Sequence, residues 1–86
     1  MNMKIQTDED VFSGSALEIM EQFRMRTFDP GEFPATETYL WFLQDNFIRM
    51  TGIDPMLPEG DVPRKARAML HALAEAGALM ILEDEE

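Results

Sequence analysis

His71 is the chain's single histidine, and it stands four residues before Glu75 in the stretch "VPRKARAMLHALAE". On a helix those two positions are neighbours on one face. A carboxylate beside an imidazole could orient it for acid–base work, provided a substrate group also came within hydrogen-bond reach. Such pairs are common on helix surfaces, so the spacing reads first as a wet helix side. A metal site would have to recruit carboxylates from distant parts of the chain, because there is no second histidine and no cysteine. No disulfide framework or cysteine nucleophile is available either.

The remaining chemistry-bearing residues also lack a constellation. "FSGSA" holds one glycine where a nucleophile elbow needs two, and Ser15 has another role, described below. The acids Asp8, Glu9 and Asp10 open "DEDVFSG", with Phe12 where a calcium loop places its third ligand. Those acids and Glu83 to Glu86 read as a solvated rim and a frayed tail. No pair of carboxylates stands out for glycoside chemistry. Both glycine-rich phosphate loops are absent. The reading is therefore non-enzymatic, with no cofactor, no metal and no evident small-molecule substrate. A hydrolase built on His71 or a carboxylate cluster is the weakest alternative, since so short a chain leaves little room for a concave pocket.

Arg64, Lys65 and Arg67 put three of the seven bases within four positions. A nucleic-acid-reading helix would use such a cluster, but the whole chain carries −10. That field opposes phosphate backbones and anionic lipid. The final "EDEE" holds four of the excess acids, and the rest is still at −6. A helix-turn-helix also needs a connection of three or four residues, and here the loop before the basic helix is much longer. Direct nucleic-acid binding and membrane binding are not expected. The start "MNMKIQTDEDVF" has no apolar run of signal-peptide length, and the expected location is the cytoplasm.

The elements that must position these residues follow from periodicity. "MKIQT" alternates apolar and polar as a strand does, and Val11-Phe12 could return as a second arm. Ser15 and Glu18 form the S-x-x-E capping pattern of a helix that runs on to about Phe28, with Ala16, Met20, Phe23 and Thr27 on one face and Leu17 and Ile19 beside them. A second helix spans about 35–51 with Thr36, Tyr39, Leu40, Leu43, Phe47 and Met50 inward and Gly52 as its stop. Asp61 caps a third, with Pro63 in its first turn. Its inner line is Ala66, Leu70, Leu73 and Gly77, with Met69 and Ala76 alongside. "ALMILE", 78–83, reads as a closing strand. The expected fold is α+β, in the order β(β)αααβ. Three helices would cover one face of a two- or three-stranded antiparallel sheet made by the chain termini. Residues 1–82 form one compact domain in this reading, and 83–86 an acidic tail. The general look resembles small bacterial or phage-borne proteins, without a motif diagnostic of any family.

The middle helix breaks the ordinary pattern. Trp41, Asp45 and Ile48 make a second line opposite its core line, and Phe42 lies off both. An ordinary surface helix is polar there, and aromatic residues mark interface centres. The expectation is a protein-interaction domain that self-associates or docks a protein partner through Trp41, Phe42, Asp45 and Ile48. Arg64, Arg67 and His71 would give a small positive rim. Phe28, Phe33, Met56 and Leu57, from two proline-bearing loops, could instead fold over this face. The eight methionines suit adaptable packing or an adaptable contact surface. The alternative function is an acidic regulator or decoy that binds a nucleic-acid-binding protein by resembling its polyanionic ligand.

Overall fold

A computed structural model of the chain describes residues 2–27, 31 and 34–85. The first strand, β1 (Met3–Gln6), turns through 7–10 into β2 (Val11–Gly14). The turn is held by the Thr7 amide donating to the Asp10 carbonyl at 2.9 Å, while the Thr7 hydroxyl accepts from the amides of Glu9 and Asp10. Three helices follow, α1 (Ala16–Met25), α2 (Thr36–Thr51) and α3 (Val62–Glu75), and β3 (Met80–Asp84) closes the chain. The sheet is antiparallel in the order β2-β1-β3, so both ends of the chain meet on β1. This is the expected α+β arrangement, and the optional second strand is present.

β1 explains the layering. Met3 and Ile5 point to the helices and are fully buried, while Gln6 on the other face is wet. Alternation of this kind is what a half-covered strand requires. Phe12 joins the same face from β2 and meets Phe23 of α1 edge-on, with ring centres 4.9 Å apart. Helices α1 and α3 pack on the strands and on each other, whereas α2 makes its main contacts with α1 and α3 rather than with the sheet. It is the outermost layer. One core joins all six elements, from Met3 to Leu79.

Local signals place the helix ends. Ser15 accepts from the Glu18 amide at 3.1 Å, and the Glu18 carboxylate accepts from the Ser15 amide at 3.0 Å, completing the capping box. Asp61 accepts from the Arg64 amide at the head of α3. Gly52 ends α2 at φ 73°, a left-handed conformation that glycine adopts without strain.

The inner faces differ from periodicity in detail. Ile19 is fully buried with Ala16 and Met20, while Phe23 is only partly covered. Met50, expected inward, is 85% exposed, because it sits in the last turn of α2 where no layer lies beneath it. Gly77 and Ala76 are exposed too, because α3 stops at Glu75 and both lie just past its end. Strand β3 begins later than expected, with Leu79 buried in the turn before it, and it takes in Glu83 and Asp84. The expected strand ends at Glu83, so the sheet takes in one residue more of the acidic ending, Asp84. The expected end of α1 near Phe28 lies outside the described residues.

Three carboxyls tie elements together, and each sits below its usual range. Glu18 is lowered first by the Ser15 amide, Asp10 first by the Val11 amide and then by Arg26, and Glu21 first by Arg24 and then by Thr36 of α2. A carboxyl with a depressed folded-state pKa adds stability that is whole above its unfolded value and is lost as pH falls through the folded one. Stability from these groups should thus decline below about pH 5. Urea unfolding at pH 7 and pH 4 should show a smaller acid loss for Glu18→Gln than for the parent. Ser15→Ala should cost about 1 kcal/mol at pH 7. Equal acid losses in the parent and Glu18→Gln would mean that Glu18 has the same affinity for protons folded and unfolded.

Candidate functional site

α2 buries Tyr39, Leu40 and Phe47 and packs Leu43 against them. Its opposite side stays in solvent. Trp41 is 58% exposed, Phe42 42% and Ile48 37%. Asp45 lies between Trp41 and Ile48 along the same side, and its carboxylate pairs with Arg49 at 2.9 Å one turn on. The two charges are exposed and cancel locally. The Phe42 ring lies 6.1 Å from that of Tyr39, so Phe42 extends from a residue rooted in the core.

Beside Trp41 the surface is concave. A cavity of about 170 Å³ is lined by Leu40 and Trp41 of α2, Leu57, Pro58 and Glu59 of the loop, and Lys65 of α3. Leu57 packs against the core and forms a wall of this cavity without hiding the tryptophan. Met56, another expected cover, is instead 81% exposed. It holds a left-handed backbone, φ 53°, with its amide donating to the Asp54 carboxylate at 2.9 Å. Phe28 and Phe33 lie outside the described residues. Among the expected covers that are described, then, only Leu57 lies against the core, and the wet side of α2 remains wet.

The basic residues of α3 are arranged differently from the expected rim. Arg67 and His71 both turn to Asp84 of β3, each with a nitrogen 2.9 Å from the same carboxylate oxygen. His71 does not select Glu75, its helical neighbour; Glu75 lies instead near Phe47 and Ile53 at a separate cavity. Asp84 can reach this side because the β1–β3 register sets it opposite Met3, on the helix-covered face. Two candidate rim residues are thus engaged by one acid on the strand, and they fasten β3 to α3. Arg64 stays exposed near Gly60, at the far end of α3 from His71. The α3 base that lines the Trp41 cavity is Lys65, which was not among the expected rim residues.

His71 has a carboxylate partner in Asp84, on the side of α3 that faces β3. No group of three or more histidine, aspartate or glutamate side chains that could hold a metal lies together among the described residues. No helix among them is long and apolar enough to cross a membrane.

The Asp84 contacts predict a local effect. Asp84→Ala should speed amide exchange across Met80–Asp84 and cost about 1 kcal/mol, the upper range for half-exposed ion pairs. Unchanged exchange in that strand would show that the latch does not hold it. In comparisons with known proteins, no family model, no curated protein and no solved structure matches this chain.

Proposed function

We propose that this chain is a small non-enzymatic protein-interaction domain that self-associates through the outer face of α2. The observation that carries the reading is the chain's only tryptophan standing in solvent on a helix whose other side already fills the core. Large exposed apolar clusters on small soluble domains mark contact sites. A partly exposed indole beside a concave wall is the kind of anchor on which interface energy concentrates.

A second copy suits the face for two reasons. Charge is locally balanced there, with Asp45 paired to Arg49 and with Glu59 and Lys65 both at the cavity, although the chain as a whole repels its like at −10. The pattern is also self-complementary. Trp41 and Ile48 are seven residues apart, about 10 Å along the helix. Two antiparallel copies of α2 about a two-fold axis would set each Trp41 over the other copy's Ile48, as a closed symmetric interface demands.

A second reading, an acidic regulator that takes a basic nucleic-acid-binding protein, is favoured by the −10 carried on a frame of 12.0 Å radius of gyration. It makes a different demand, since such binding should fall steeply with salt.

Sedimentation at micromolar concentration distinguishes them. The parent should run as a dimer and Trp41→Glu as a monomer with unchanged circular dichroism. A parent that stays monomeric would remove the second copy as the occupant of this face.

A further inference from the structure

The two edges of the sheet are finished differently. At the β2 edge, Gln22 of α1 donates through Nε2 to the Ser13 carbonyl at 3.2 Å. Arg26 lies 4.6 Å from the centre of the Phe12 ring and pairs with Asp10 at 2.8 Å, so α1 wraps that side. At the other edge, β3 has β1 on one flank and, among the described residues, no strand on the other. An open edge of this kind is a template for another strand.

This edge is also firmly held from behind. Ile81 packs against the core, Asp84 is bound by Arg67 and His71, and the Glu85 amide donates to the Asn2 carbonyl at 2.9 Å. A strand fixed in this way needs no further ordering to receive a partner, which lowers the entropy cost of binding. Met80 and Leu82 are exposed along it. The register shift opposite Lys4 and Ile5 leaves Leu82 without a counterpart on β1. At the head of the strand a cavity of about 820 Å³ is lined by Gly77, Ala78, Met80 and Ile81, with Asp8 also in its wall.

Charge selects the occupant. Glu83 and Glu85 flank the bound Asp84 and are exposed, and Asp8 and Glu9 add to the acidity of the chain. Two such edges brought together would set acids against acids, which is costly when they are directly opposed. A basic strand meets the opposite situation.

We infer that the β3 edge takes up an extended segment of a basic protein partner by strand addition, its apolar residues alternating with lysine or arginine. Main-chain hydrogen bonds supply affinity in this mode, and alternate side chains supply selection. The site is separate from the α2 face and does not depend on it.

The test uses the full chain and a short fluorescent peptide alternating valine and lysine. Anisotropy should rise on mixing, and β3 amides should gain protection from exchange. N-methylating alternate peptide amides, in each of the two frames, should weaken binding at least about tenfold in one frame, because the ladder bonds are lost. Glu83→Lys should weaken it, a valine–glutamate peptide should not bind, and Trp41→Glu should bind as the parent does. Equal binding by both N-methylated peptides would show charge attraction without strand pairing and overturn the inference. So would absence of binding, indifference to Glu83→Lys, binding of the valine–glutamate peptide, or loss of the peptide in Trp41→Glu, which would move the site to α2.

Discussion

A chain of 86 residues builds one core, and α2 reaches that core from outside. The sheet face formed by Met3, Ile5 and Phe12 is covered by α1 and α3, and α2 lies across those two helices. Only one of its sides can then meet protein. Tyr39, Leu40 and Phe47 occupy that side, and each large apolar group so buried is worth about 1.5–3 kcal/mol. Among the described residues no further layer covers Trp41, Phe42 and Ile48. Of the two proline-bearing loops, the one after α2 contributes Leu57 to the core and sends Met56 outward. Exposure of the tryptophan is a consequence of layer order, and the proposed docking role rests on that exposure.

The layers stay together because the chain closes on itself. β1 is the central strand, so removing either partner strand would open the sheet face on which α1 and α3 rest. β3 is fastened to α3 by one carboxylate shared between Arg67 and His71. Of the clustered bases Arg64, Lys65 and Arg67, it is Arg67 that an acid from the sheet meets, and that contact works within the fold. The same bond holds the strand whose outer edge is open.

Much of this was legible in the sequence because it is local. Ser15 with Glu18, Asp61 three residues before Arg64, and Gly52 after Thr51 each fix a helix end through neighbours within one turn. Strand alternation at Met3 and Ile5 was equally direct. What the residues alone could not reveal depends on distance along the chain. Asp84 lies 17 residues from Arg67 and 13 from His71, and no local rule prefers it to Glu75. Periodicity assigned Met50 to the right face of α2 but could not say where the underlying layer ends. The closing strand read as ending at Glu83 because Asp84 is a poor strand former by itself, and the pairing with β1 overrides that preference. The differing finish of the two sheet edges had no sequence signal beyond the position of Gln22, which is one helix away from the strand it covers.

The second apolar side of α2 is exposed to water in the isolated chain. Because Trp41 is the only tryptophan, collisional quenching of its fluorescence by acrylamide, measured at a dilution where the chain is monomeric, reports on that side alone. The account predicts ready quenching, close to that of the unfolded chain, with a red-shifted emission. A shielded, blue-shifted tryptophan in the monomer would contradict it.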